Sequence, residues 1–182
     1  DKIVTSSAGC GSAMKEYHDL LKNDPDYCEK ALLFSNLTVD VTELLVDLPF
    51  RAPTKQLSRK ITYQDPCHLA HAQRITRAPR AVLESIPGLK LVEMENASLC
   101  CGGAGIYSAI QPELSGRLLR RKMESILETG ADEVVTANPS CMLQIEHGLK
   151  AQESQGGKVP GGKVRHVVDI LDEAYRLEEG HR

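Results

Sequence analysis

The 182-residue chain has no tryptophan, two phenylalanines and five tyrosines, so aromatic residues make up only 4%. Stacking platforms for single-stranded nucleic acid need rings to spare, and this chain has few. It also lacks an excess of either charge. Its 22 Lys and Arg against 25 Asp and Glu leave a net charge of -3, which gives no electrostatic footprint for nucleic acid. No apolar run is long enough to span a bilayer, and no secretory signal is visible. What remains is the composition of a globular domain, 41% hydrophobic and 26% charged, long enough to bury a core.

Against these absences, six cysteines are many. Without a secretory signal, such thiols more often bind metal or do chemistry than form disulfides. Cys100 and Cys101 are adjacent and are followed by Gly102-Gly103. Neighbouring cysteines cannot bridge each other without strain, because a disulfide holds its two Cα atoms well apart. Cys67 lies upstream in Asp65-Pro66-Cys67-His68, and Cys141 downstream in Asn138-Pro139-Ser140-Cys141. Four converging thiols are the set that an iron–sulfur cluster or a zinc ion needs.

Strand-like runs alternate with helical patterns, which predicts an α/β fold with a mostly parallel sheet flanked by helices. The predicted strands are 2–6, 60–63, 89–93, 133–137 and 164–166. The predicted helices are 12–22, 40–48, 78–86, 113–129, 141–151 and 167–177. The pattern of Leu114, Leu118, Leu119, Met123, Ile126 and Leu127 is the clearest, with Gly130 as its stop. Residues 152–163, with four glycines and a proline, read as a surface loop. A short internal repeat is visible. Thr5 to Cys10 parallels Thr136 to Cys141, and Val41 to Leu45 parallels Val167 to Leu171. Because Lys2 to Thr5 already reads as a strand, the chain is expected to start inside a longer protein.

Cys10, Cys67, Cys100-Cys101 and Cys141 each follow a predicted strand by a few residues. In a parallel sheet all carboxyl ends of strands face one edge, and ligands bind in the crevice outside it. Helix N-termini after Cys67 and Cys141 would favour thiolates, and Gly102, Gly103 and Gly105 would let backbone N–H groups approach sulfur. Cys28 reads instead as an ordinary core thiol. Cys10 stands between the two readings. His68 and His71 read as hydrogen-bonding partners, with ligation as the alternative. Arg117, Arg120, Arg121 and Lys122 read as the solvated face of their helix.

At these residues the sequence resembles the cysteine-rich CCG domain family. That family includes the heterodisulfide reductase B subunit and the iron–sulfur subunits of flavin-linked dehydrogenases. The resemblance runs furthest toward the C-terminal part of the glycolate oxidase iron–sulfur subunit. It rests on Asp65-Pro66-Cys67-His68, Cys100-Cys101-Gly102-Gly103, Gln111-Pro112-Glu113, Thr129-Gly130-Ala131-Asp132, Asn138-Pro139-Ser140-Cys141 through Ile145, and His166 through Asp172. It implies one cysteine-rich domain over 1–182, with 1–50 the tail of a first repeat and 60–182 a complete second one. It implies an iron–sulfur cluster and an electron-transfer task. Electrons would come from a flavin-containing subunit oxidising a 2-hydroxy acid such as glycolate, and pass to a membrane acceptor. No Cys-x-x-Cys-x-x-Cys run occurs here, so the ferredoxin-like domain of the full-length relatives is expected elsewhere. A cytoplasmic location is implied, with attachment to the inner face of the membrane left open. The family's fullest form ends in Cys-x-x-Cys, whereas here Gln144 stands at the second position. That leaves Cys67, Cys100, Cys101 and Cys141 as ligands of a 4Fe–4S cluster, with Cys10 the open candidate for a fifth thiol. Two alternatives stay open: a structural zinc site on the same thiols, and a thiol–disulfide enzyme using Cys100-Cys101.

Overall fold

A computed structural model of the chain describes residues 1–154, 156, 159–161 and 163–180. β1 (Ile3–Thr5) leads through α1 (Ala8–Lys15), α2 (Tyr17–Leu21) and α3 (Cys28–Leu37) to β2 (Thr38–Asp40) and α4 (Val41–Asp47). After a connecting stretch come β3 (Arg59–Tyr63), a π-helical turn (His68–Ala72), α5 (Arg77–Glu84) and β4 (Leu89–Leu91). The chain ends with α6 (Tyr107–Ile110), α7 (Pro112–Glu128), β5 (Glu133–Thr136), α8 (Pro139–Ser154), β6 (Val164–His166) and α9 (Val167–Glu179). Every strand pairing is parallel. The expected α/β architecture is therefore present, but the strands form two sheets: β1-β2, and β4-β3-β5-β6.

Side chains alternate between the two faces of the sheet as pleating requires, and the ends of β3 and β5 are buried on both. In β5, Val134 packs with Leu119, Met123, Ile126, Ile145 and Leu149 from α7 and α8. Its neighbour Val135 turns to the other face, among Ile61, Val82, Leu83 and Ile170, where α5 and α9 supply the cover. The four-stranded sheet is thus clothed on both faces.

Several local features differ from the sequence expectation. β2 is absent from the predicted strands, because its last residue, Asp40, reads as the start of the helix that follows. α3 is absent from the predicted helices, because Ala31, Leu32, Leu33 and Phe34 run consecutively and hide the helical period. The helix expected over 12–22 begins at Ala8 and breaks at Glu16 into α1 and α2. Gly9 and Gly11 weaken the helix signal at its start. Gly11 is required by packing, since a Cβ there would lie 2.8 Å from the Thr5 Cγ2. Lys122 is the largest correction. Its charged neighbours predict a solvated face, yet it is 0% exposed. It lies three residues after Leu119 and four before Ile126, on the stripe that faces the core, while Arg117, Arg120 and Arg121 are exposed. Leu114, expected in that stripe, is 45% exposed. Of the expected loop 152–163, residues 152–154 close α8, and 155, 157, 158 and 162 lie outside the described residues.

The strand order sets the position of the site. From β3 the chain runs to β4 on one side, then crosses to β5 on the other. The loops leaving β3 and β5 therefore flank a topological switch point, where open α/β sheets leave a crevice. The β1-β2 unit is laid out like β5-β6. Thr5 aligns with Asp40 and Thr136 with His166. Asp40 and His166 each cap the helix that follows, with Glu43 and Asp169 completing the two capping boxes. Among the described residues no helix is long and apolar enough to cross a membrane.

Candidate functional site

Three loops at the carboxyl edge carry cysteines, and hydrogen bonds fasten the loops together. The Thr136 hydroxyl at the end of β5 donates to the Gln64 Oε1 at 2.7 Å, joining the β3 and β5 exits. The Asp65 N–H donates to the Ala97 carbonyl at 3.2 Å, joining the β3 exit to the loop before Cys100. Asp65, buried, takes a two-pronged grip from Arg80 at 2.8 and 2.9 Å. Arg80 also holds Glu93 at 2.6 and 2.8 Å and lies over the Tyr63 ring at 5.1 Å. A planar guanidinium fork suits such paired carboxylates. Cys67 follows this anchor, at the entrance of the π-helical turn whose Leu69 and Ala70 N–H groups donate to the Pro66 carbonyl, each at 2.9 Å.

The loops bring Cys67, Cys100, Cys101 and Cys141 into a row of thiols, each within hydrogen-bonding reach of the next. The thiol pKa values along the row are shifted in alternating directions. S–H groups of Cys101 and Cys67 directed at Cys100 pull its pKa far down, against the effect of burial. A hydrogen bond from Cys101 likewise lowers that of Cys141. The donors move the other way: Cys67 is raised by its bond to Cys100, and Cys101 by its bonds to Cys100 and Cys141.

N–H groups converge on these sulfurs. The Gly102 N–H is 3.3 Å from the Cys100 Sγ. The backbone N–H groups of His68 and Gly103 lower the pKa values of Cys67 and Cys101 against the larger opposing effects. The Asn138 Nδ2 donates to the Cys141 Sγ at 3.3 Å. Its Oδ1 accepts from the Gly9 N–H at 3.1 Å, which fixes the amide's orientation and ties α1 to the site. Cys141 itself sits in the first turn of α8, where backbone N–H groups lack helical partners.

Gly102 is required by shape. Gly102 has φ +86°, and a Cβ on it would lie 2.5 Å from the Ser115 carbonyl oxygen. The Ser115 hydroxyl donates to the Gly102 carbonyl at 2.8 Å and accepts from the Gln144 Nε2 at 3.1 Å. Gln144, at the position where the family's fullest form has a cysteine, thus braces the Cys-Cys-Gly-Gly loop between α7 and α8. No sequence signal points to this relay.

Other expected residues fall outside the row. Cys10 is exposed on α1. Cys28, expected in the core, is only partly buried at the start of α3. His68 is exposed, with its Nδ1 3.6 Å from the Cys67 Sγ, and the His71 Nε2 donates to the Ser98 carbonyl at 3.1 Å. A depression of 320 Å³, walled in part by His71, Ser98 and Leu99, opens beside Cys67 and Cys100. A larger groove of 570 Å³ lies between α4 and α5 and contains no cysteine.

The cysteine-rich domain of the CCG family matches residues 61–146, a span holding all four thiols of the row. Lactate utilization protein A of Geobacillus sp. (strain WCH70) is 31% identical over 173 residues, which are 94% of this chain and 70% of that protein. The chain belongs to the cysteine-rich CCG domain family. Within it, a probable glycolate oxidase iron-sulfur subunit of Bacillus subtilis (strain 168) is 40% identical over 176 residues. A fumarate reductase (CoM/CoB) subunit of Methanothermobacter marburgensis is 36% identical over 176 residues. Both matches take in 96% of this CCG chain, but it spans only 39% and 32% of those two relatives' lengths.

Proposed function

We propose that this chain is the cluster-holding part of an oxidoreductase electron-transfer subunit. Cys67, Cys100, Cys101 and Cys141 hold a 4Fe–4S cluster. One observation carries the proposal: four thiols from three loops form one continuous row, with N–H donors aimed at sulfur. That donor set suits such a cluster, whose ligands are thiolates and whose potential depends on hydrogen bonds to sulfur. When bound, the cluster would supply reversible one-electron storage. The chain's own residues would orient the thiolates (Pro66, Asn138, Gly102), limit solvent at Cys101, and fasten the loops through Gln64, Asp65 and Arg80.

The electrons would come from a flavin-containing subunit that oxidises a 2-hydroxy acid such as glycolate, and would leave toward a membrane acceptor. The names of the glycolate oxidase and lactate utilization relatives support that substrate class. A ferredoxin-like domain elsewhere in the full-length protein would complete the relay, on the cytoplasmic side and at the inner membrane face. We read 1–182 as one cysteine-rich domain, with 1–50 as the tail of one repeat and 60–182 as a whole one. The matched registers and capping boxes of β1-β2 and β5-β6 support this division.

The sulfurs form a row rather than a cage. Among the described residues no three His, Cys, Asp or Glu side chains are placed to hold a single metal ion. Thiol–disulfide exchange at Cys100-Cys101 is disfavoured because Cys101 is 1% exposed and out of reach of an external disulfide. Anaerobic purification followed by electron paramagnetic resonance tests the proposal. A signal that appears on dithionite reduction supports it, and iron-free protein overturns it.

A further inference from the structure

α7 carries one lysine into the interior. The Lys122 Nζ donates to the Asn96 and Ala97 carbonyls, each at 2.9 Å, and lies 3.9 Å from the Met94 Sδ. Among the described residues these are its polar partners. Asp65, a carboxylate whose charge reaches it, is already paired with Arg80. A buried ammonium without a carboxylate is costly. Burial pushes the Lys122 pKa down to about 8, and the charges opposing that fall are Cys101, Asp65, Cys141 and Cys100. Three of these four are thiols of the row. The fold therefore places a buried cation without a carboxylate of its own on the loop that leads to Cys100, and beside Met94, which packs in one cluster with Cys101 and Cys141.

We propose that Lys122 is the fixed counter-charge of the thiol row, raising the reduction potential of the group those sulfurs hold. The inference rests on the cluster proposal above. Reduction adds one electron to that group, with no bond broken and no proton moved. The site becomes more negative by one charge, and a nearby buried cation stabilises that state more than the oxidised one. Screening is weak in such an interior, so the effect is larger than at a surface. Lys122 also pins the Asn96 and Ala97 carbonyls in the loop before Cys100, which any donor could do. The variants separate the two roles: a glutamine keeps N–H donors for the two carbonyls without the charge, whereas an arginine keeps the charge.

The test uses Lys122→Gln, which keeps N–H donors without charge, Lys122→Met, which removes both, and Lys122→Arg, which keeps the charge. Iron and sulfide are measured first in anaerobic samples, and the cluster is then titrated with dithionite at fixed pH and salt while its paramagnetic signal is followed. In the Gln and Met variants the ratio of reduced to oxidised cluster at a fixed poise should fall about tenfold, which is 59 mV for a one-electron couple. Lys122→Arg should keep the wild-type ratio. Failure of both uncharged variants to load iron, with normal loading of Lys122→Arg, also supports the proposal. Loaded Gln and Met variants at the wild-type potential overturn it, as does loss of loading in Arg and Gln alike. Wild-type protein without iron and sulfide instead overturns the cluster proposal, and this inference with it.

Discussion

Gly102→Ala should be the most damaging single methyl in the site. Gly102 has φ +86°, a region that costs an L-residue about 1–2 kcal/mol. The new Cβ would lie 2.5 Å from the Ser115 carbonyl oxygen, a backbone atom of α7 that cannot swing aside. Forcing an extra methyl into such packing costs about 1–3 kcal/mol. The shift would also strain the 2.8 Å bond from the Ser115 hydroxyl to the Gly102 carbonyl, for about 1 kcal/mol more. The sum is about 3–6 kcal/mol, a large share of the stability of an ordinary domain. Gly105→Ala supplies the control. Its φ is also positive, at +56°, but nothing lies within 4 Å of its Cβ position, so it bears the conformational cost alone. Urea unfolding of the two variants separates strain from collision. Because the Gly102 N–H also touches the Cys100 Sγ, Gly102→Ala should lose bound iron while Gly105→Ala keeps it. Equal midpoints and equal iron in the two variants would refute the reasoning.

Replacing Cys67, Cys100, Cys101 or Cys141 with Ser should abolish cluster binding by iron and sulfide analysis, while Cys28→Ser and Cys10→Ser keep it. Loss in Cys28→Ser with retention in Cys141→Ser would show the ligand set to be wrong. Asn138→Asp should lower iron content sharply, because a carboxylate replaces the N–H donor 3.3 Å from the Cys141 Sγ; full loading would contradict the donor role. Asp40 is 0% exposed, and burial raises its pKa above 3.8 despite hydrogen bonds from Thr42. The folded state then keeps a proton that the unfolded state has lost, so its contribution to stability falls as pH rises through that window. Asp40→Asn preserves the helix cap and should remove that part of the pH dependence, as thermal unfolding between pH 4 and 7 would show; an unchanged profile would count against it.

Much of this architecture can be read from the residues. Five strands emerge from short β-rich runs, and the carboxyl-edge argument brings together cysteines that stand far apart in sequence. β2 escapes because Asp40 reads as the start of the next helix, and α3 because its apolar run is unbroken and carries no period. Lys122 escapes for a different reason. Its neighbours Arg120 and Arg121 invite a solvated face, and only its spacing from Leu119 and Ile126 places it inward. The Gln144–Ser115–Gly102 relay depends on two helices meeting a loop, a tertiary fact that no local pattern encodes. Asn138 is visible as part of Asn-Pro-Ser-Cys, but its grip on both Gly9 and the Cys141 sulfur needs the fold.

The central claim is that the four-thiol row holds a multi-iron cluster. Iron, acid-labile sulfide and zinc, measured together on one anaerobically prepared sample, test it most directly. The account predicts iron and sulfide in equal amounts, about four of each per chain for a 4Fe–4S cluster, with no stoichiometric zinc. One tightly bound zinc per chain without sulfide would contradict it.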